Sequence, residues 1–130
     1  PLEIDARLIE LGFGAWEGRT PDELTAGDPE TLNRFRSDPV AHAPQGAEPL
    51  TAFRDRIISA WDSLLEHHDG KHVLIVAHAG VIRMVVAHVL NAPLQHLFRL
   101  QVPNAGITRI RVEKHGGQLF PQLLFHGGNL

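Results

Sequence analysis

The stretch VLIVAHAGVIR, Val73 to Arg83, decides the fold. Its first five residues are apolar, and such a run without polar alternation predicts a strand buried on both faces, as in a parallel sheet. His78 follows the run, and Gly80 lets the chain turn sharply into a helix that is expected to end at Asn91. Because ligands of open α/β sheets bind beyond the carboxyl ends of the strands, His78 lies at a candidate site.

The sequence on both sides of this unit predicts further helices and strands. A long helix is expected from Leu50 to about His68, because apolar residues recur on one face at helical spacing. The other predicted elements are an extended segment with a Gly-rich loop over 2–18, two short helices capped by Thr20 and Asp28, a Pro/Gly loop over 37–49, a short helix over 93–98, and antiparallel strands over 107–114 and 118–125. This order predicts an α/β fold, a three-layer sandwich on a mostly parallel sheet.

The bulk composition is that of one ordinary soluble domain. The 130 residues are 43% hydrophobic and 21% charged, with a net charge of −3, which argues against wholesale binding to nucleic acid or to an anionic membrane. No apolar run is long enough to span a membrane. The absence of cysteine fits a reducing compartment, and a cytoplasmic location is expected. The one H-x-x-x-H pair, His68 and His72, straddles a turn signal, so no metal site and no cofactor are predicted.

The residues around His78 favour an anion site. The helix that follows would point its unpaired N–H groups and positive dipole end outward, and the small residues Ala77, Ala79 and Gly80 leave room for a ligand. A histidine with a purely structural role remains open on position alone. For Glu10, just before the Gly-rich loop, the position alone favours a solvated charge.

Three segments, in their order along the chain, resemble the histidine phosphatase superfamily, also called the phosphoglycerate mutase-like family: RLIELGFGAWEGRTPDEL, PQGAEPLTAFRDRI and VLIVAHAGVIRMVV. The resemblance implies that Glu10 protonates the leaving oxygen and that His78 holds the transferring phosphoryl group. It also implies that Ala79 and Gly80 bind substrate, and that Asn104 lies near the rim of the pocket. No metal is implied, because arginines and histidines neutralise the phosphate. The Glu48 segment departs from the family's Gly-Glu-Ser pattern on both sides.

The family's Arg-His-Gly motif, which carries the nucleophilic histidine, does not occur in this chain. We therefore expect residues 1–130 to be the C-terminal part of a single histidine phosphatase-like domain that lacks the first βα portion and is inactive alone. A shortened gene and a nucleophile supplied by another chain are alternatives, but Pro1 resembles a cut edge. Exposed strand edges and apolar faces are expected to follow, so that residues 1–130 alone are poorly stable or fill the gap by association. His126 in LLFHGG is no replacement, because Phe125 stands in place of the arginine, and it is expected at the surface.

The leading functional hypothesis is a phosphomonoester hydrolase that works through a phosphohistidine and acts on a phosphorylated small molecule. The short stretch between Glu17 and Glu48 favours a phosphatase over a mutase-type enzyme. FGAWEGRT is most similar to the α-ribazole phosphatase branch, which implies a role in cobalamin biosynthesis. A non-catalytic domain that binds a phosphorylated ligand is the alternative from another class. An α/β-hydrolase fragment is disfavoured, since no G-x-S-x-G elbow is present.

Overall fold

The computed structural model describes residues 2–129, so Pro1 lies outside the described part of the chain. Its helices are α1 (Pro21–Gly27), α2 (Thr31–Ser37), α3 (Leu50–His67) and α4 (Ala79–Val89). Its 3-10 turns are Ala6–Leu8, Gly14–Trp16 and Leu94–Arg99. Its strands are β1 (Ile107–His115) and β2 (Gln118–Gly128). The described part mixes helices and strands, with all of the helices ahead of the two strands along the chain. The described strands form a two-stranded sheet.

The two short helices begin differently. Helix α1 starts as predicted, since the Thr20 hydroxyl accepts a hydrogen bond from the backbone N–H of Glu23 at 3.2 Å. The prediction that Asp28 caps α2 is wrong, because α2 begins at Thr31 and Glu30 occupies the capping position. The Asp28 carboxylate instead accepts from the backbone N–H of Glu30 at 3.0 Å and closes a local turn ahead of the helix.

The hydrophobic core lies between α3 and α4. Its buried members come from these helices, the Glu10 segment and the last 3-10 turn: Leu11, Leu50, Phe53, Ile57, Val81, Met84 and Leu97. The predicted apolar face of α3 is therefore confirmed in its first half. Trp61, Leu64 and Leu65, in the second half, are only partly buried.

Strands β1 and β2 form an antiparallel hairpin, as predicted. His115 pairs with Gln118, and the two residues between them, Gly116 and Gly117, both have positive φ angles, of 57° and 83°. Glycine adopts such angles without strain, and a two-residue turn of this kind matches the twist of the flanking strands. The tight HGG turn therefore fixes the register of the hairpin.

The apolar run that was expected to form a buried strand has no strand partner among residues 2–129. Leu74 and Val76 are 88% and 87% exposed, and Val73 and Ile75 are also exposed. A strand is buried on both faces only when strands flank it and helices cover it, and the described sheet contains β1 and β2 alone. The run instead borders a cavity of about 320 Å³ that is also lined by residues of α3, α4 and β1.

Candidate functional site

The Glu10 side chain reaches from the first segment of the chain to the N-terminus of α4. Its Oε2 accepts a hydrogen bond from the Gly80 backbone N–H at 3.0 Å, and its Oε1 accepts from the Leu11 backbone N–H at 2.8 Å. An anionic group is favoured at the positive end of a helix dipole. Glu10 and Gly80 are thus in direct contact although they lie 70 positions apart in the sequence. Both were predicted to belong to the same site.

The Glu10 carboxylate occupies the space left by the missing side chain of Gly80. A Cβ atom built on Gly80 would clash with the Glu10 Oε1 and lie 3.0 Å from the Glu10 Cδ. Gly80 is the second residue of α4, and it is not among the glycines with positive φ. The expectation that it permits a sharp backbone turn is therefore wrong, because what its missing side chain provides is room for the carboxylate.

His78 is the residue that caps α4, directly before Ala79. Its carbonyl accepts the hydrogen bond from Ile82 N–H at 3.1 Å, and its side chain is exposed. Within residues 2–129 the imidazole makes no hydrogen bond. His78 and the Glu10 carboxylate therefore both lie at the N-terminal end of α4, where the first N–H groups have no intrahelical acceptor.

Arg83 adds a positive charge near the same carboxylate. Burial lowers the pKa of the Arg83 guanidinium, and the negative charge of Glu10 opposes that effect. Its Nε donates to the Leu100 carbonyl at 2.8 Å, and its Cζ lies 5.5 Å from the centroid of the Phe98 ring. Arg83, one turn along α4 from Ala79, thus places a half-buried positive charge near Glu10.

The Gly-rich loop after Glu10 packs against the Glu48 loop. A Cβ on Gly14, whose φ is +56°, would meet the backbone of residues 45–47, and Ala15 N–H donates to the Gln45 carbonyl at 2.9 Å. Glu17, in the same loop, accepts a hydrogen bond from the Phe13 backbone N–H at 3.0 Å. Its contact is with its own loop and not with His78 or Glu10.

Arg56 was not identified from the sequence. It lies on α3, and its side chain binds the Glu48 carboxylate together with the carbonyls of Arg7, Ile9 and Glu10. A carbonyl acceptor carries no residue identity, so an arginine that binds carbonyls leaves little signal in a sequence. The one available signal is the Glu48–Arg56 pair, an acid and a base eight positions apart.

Asn104 and His126 lie on the last part of the chain. Asn104 is exposed in a turn closed by the hydrogen bond from Gly106 N–H to the Pro103 carbonyl at 3.1 Å, and the hydrogen bonds of residues 2–129 do not connect it to Glu10. His126, expected at the surface, is half-buried. Its Nδ1 lies 2.8 Å from the hydroxyl of Thr108 on β1, and its Nε2 lies 2.6 Å from the Gln101 carbonyl, so the ring links the two strands and also holds the hairpin to the preceding loop.

Residues 2–129 lack two further features. Nowhere in that range do three or more His, Asp or Glu side chains gather in a way that could hold a metal ion. In the same range, none of the helices combines the length and the apolar character needed to cross a membrane.

The geometry is that of a small α/β domain in which a carboxylate and an exposed histidine share a helix N-terminus, an arrangement suited to holding an anion and moving a proton. The chain belongs to the histidine phosphatase superfamily (branch 1), which matches residues 1–120.

Individual relatives give the same family. The adenosylcobalamin/alpha-ribazole phosphatase of Salmonella typhimurium is 31% identical over 102 residues, which are 78% of this chain and 50% of that protein. Phosphoserine phosphatase 1 of Hydrogenobacter thermophilus is 25% identical over 115 residues, or 87% of this chain and 54% of that protein. The structure of Bacillus stearothermophilus YhfR superposes with a TM-score of 0.79 and 33% identity, covering 95% of this chain and 60% of YhfR. The chain thus spans about half of the length of these two phosphatases.

Proposed function

We propose that this chain is the C-terminal part of a phosphomonoester hydrolase that works through a phosphohistidine. The observation that carries the proposal is the hydrogen bond between the Glu10 carboxylate and Gly80 N–H, because it brings an acid to the helix end that His78 caps. Membership of the histidine phosphatase superfamily supports the same chemistry.

In the proposed reaction, a histidine outside residues 1–130 attacks the phosphorus, and the bond between phosphorus and the leaving oxygen breaks. Glu10, in its protonated form, gives its proton to that oxygen. His78 and the backbone N–H of Ala79 stabilise the negative charge on the transferring phosphoryl oxygens, and Gly80, whose N–H holds Glu10, lies beside the substrate at the same helix end. Water then attacks the phosphorus, the bond between phosphorus and the histidine nitrogen breaks, one proton of the water passes to Glu10, and inorganic phosphate leaves with the histidine restored. Asn104 is proposed to lie at the rim, where it contacts the rest of the substrate.

The missing nucleophile is proposed to arrive on a strand that fills the apolar cavity beside Val73–Ala77. Residues of this run and of β1 both line the cavity, and Val73 to Val76 are exposed apolar side chains. A strand inserted there would pair with the run and complete a three-layer sandwich on a mostly parallel sheet. The relatives have about twice the matched length, so they contain chain enough to supply such a strand. A second copy of this chain is the competing occupant of the cavity.

The proposed substrate is a phosphorylated small molecule in the cytoplasm. The short connection between Glu17 and Glu48 favours a phosphatase over a mutase. Two of the related proteins are named for dephosphorylating α-ribazole and phosphoserine. α-Ribazole 5′-phosphate, an intermediate of cobalamin biosynthesis, is the first substrate to test, and O-phosphoserine is the second.

The test is release of inorganic phosphate by the full-length protein from both compounds. His78→Ala and Glu10→Gln are expected to lower kcat/KM by about 100-fold or more, as loss of a clamping group or a general acid does. His72→Ala and Glu3→Gln, at exposed positions, are the matched controls and should leave turnover unchanged. Unchanged turnover in the first pair would refute the proposal. Binding of phosphate without any turnover by the wild-type protein would favour a non-catalytic phospho-ligand domain instead.

A further inference from the structure

We infer that Arg56 is a positioning residue for Glu10, acting through the backbone and with Glu48 as its anchor. This role rests on the proposed function, since it concerns the placement of the proposed acid. Arg56 is on α3 and touches neither His78 nor the Glu10 carboxylate through any hydrogen bond within residues 2–129. Its influence on the reaction must therefore pass through the chain that carries Glu10.

All five N–H donors of the Arg56 guanidinium are accounted for by five acceptors. Nε and Nη2 each lie 2.8 Å from one oxygen of the Glu48 carboxylate, which makes a two-point ion pair. Nη1 donates to the carbonyls of Arg7 at 2.7 Å and Ile9 at 2.6 Å, and Nη2 also donates to the Glu10 carbonyl at 3.2 Å. Only arginine offers five donors in a fixed planar fork, and lysine offers three.

The anchor of this network is itself held in place. Glu48 and Arg56 side chains are 24% and 21% exposed, so water competes weakly for their charges. The Glu48 backbone N–H donates to the Gly12 carbonyl at 2.9 Å. The Arg56 Cζ also lies 4.7 Å from the centroid of the fully buried Phe53 ring, which ties the guanidinium to the core.

The network brackets the proposed acid on both sides. Arg56 fixes the carbonyls at positions 7, 9 and 10, and Glu48 fixes position 12, so the backbone of Glu10 has little freedom to shift. The Glu10 side chain leaves this fixed segment and meets Gly80. A general acid must lie within hydrogen-bond reach of the atom it protonates, and a displacement of about 1 Å can cost about 100-fold in rate.

The experiment measures kcat/KM of the full-length protein for two monoesters that differ in their need for an acid. p-Nitrophenyl phosphate has a leaving group that departs without protonation, whereas an alkyl phosphate such as glycerol phosphate requires a proton donor. Arg56→Lys is expected to lower kcat/KM for the alkyl ester by about 10- to 100-fold and to change that for the nitrophenyl ester by less than about threefold. In a Glu10→Gln background, Arg56→Lys should have no further effect, because it acts through Glu10.

Arg54→Lys is the matched control. Arg54 is two positions away on the same helix, and its Nε pairs at 3.1 Å with an exposed carboxylate, that of its neighbour Asp55. Arg54→Lys should leave kcat/KM unchanged for both substrates. Glu48→Gln is the second test variant; it keeps the shape of the anchor while removing its charge, and it should shift the ratio of the two substrates in the same direction as Arg56→Lys.

Thermal unfolding of each variant separates positioning from folding. An equal loss of kcat/KM on both substrates, or no loss on either, would overturn the positioning role. The proposed function would remain intact if the wild-type protein turns over and if Glu10→Gln lowers kcat/KM more for the alkyl ester than for the nitrophenyl ester. Failure of both Arg56→Lys and Glu48→Gln to fold would also overturn it, since the pair would then be required for stability. No turnover by the wild-type protein would overturn the proposed function and this role together.

Discussion

Glu10 and Gly80 are joined by a 3.0 Å hydrogen bond from the backbone N–H to the carboxylate, across 70 positions of sequence. The contact depends on the absence of a side chain at Gly80, because any Cβ there would occupy the space of the carboxyl group. A hydrogen bond to a charged group stabilises a fold by roughly 1.5–3 kcal/mol. The same contact that holds the first segment to α4 therefore sets the position of the proposed acid.

Gly80→Ala is expected to displace Glu10 and to lower the kcat/KM of the full-length protein by about 100-fold on an ester that needs an acid. The free energy of unfolding should also fall, by about 1–3 kcal/mol, because the overlap is relieved only by moving the carboxylate or the helix. Gly27→Ala is the control: Gly27 ends α1 with no atom near its missing Cβ. Equal activity of the two variants would show that the contact is dispensable.

Two glycines of the Gly-rich loop after Glu10 allow the cost of backbone strain to be measured separately from the cost of crowding. Gly14 and Gly18 both have positive φ angles, of 56° and 72°, but only Gly14 faces another backbone, that of residues 45–47. Gly18→Ala should cost about 1 kcal/mol of unfolding free energy from strain alone. Gly14→Ala should cost at least about 2 kcal/mol more, because the Glu48 loop must move. Chemical denaturation of both variants measures the difference, and equal costs would contradict the packing of the two loops.

Local signals in the sequence were sufficient for several elements. Thr20 predicts the start of α1 because its hydroxyl needs only a backbone donor three residues later. Gly116-Gly117 predicts the hairpin because a two-residue turn of this type needs positive φ angles at both positions, which glycine adopts without strain. The three-layer sandwich was not obtained among residues 2–129. Burial of Val73–Ala77 depends on a neighbouring strand, and the apolar run alone does not say where that strand comes from.

The candidate site was predictable only in part. Glu10 and Gly80 could be placed together by resemblance. The role of the glycine could not be predicted, because it depends on the Glu10 carboxyl group that lies against Gly80 in the folded chain. Arg56 was missed because three of its five acceptors are backbone carbonyls, which any residue provides. His126 was expected at the surface because the partners of its ring, Thr108 and the Gln101 carbonyl, are distant in sequence.

The Glu48–Arg56 pair should make the stability of the full-length protein depend on pH. The hydrogen bond from Arg56 lowers the pKa of Glu48 from its ordinary value of 4.5, and burial opposes this only in part. Because the folded state then binds fewer protons than the unfolded state, the contribution of Glu48 is complete above pH 4.5 and is lost as the pH falls through the lowered folded pKa. Glu48→Gln should therefore flatten the pH dependence of unfolding below about pH 4.5.

The control for this titration is Glu3→Gln, since Glu3 is exposed and makes no ion pair within residues 2–129. Its substitution should leave the slope of unfolding free energy against pH unchanged. An unchanged slope in Glu48→Gln would mean that the ion pair does not form in solution.

Leu74 tests whether a strand fills the apolar cavity. In residues 2–129 its side chain is 88% exposed, and truncation of such a side chain costs less than about 0.5 kcal/mol. If a strand inserts beside Val73–Ala77 in the full-length protein and helices cover both faces, Leu74 becomes a core residue, and Leu74→Ala should cost about 2–5 kcal/mol of unfolding free energy. Leu90→Ala, at the C-terminal end of α4 with 57% exposure, is the control and should cost less than about 0.5 kcal/mol. A small cost at both positions would show that the run stays exposed, and the proposal that the nucleophile arrives on a strand at this edge would then fail.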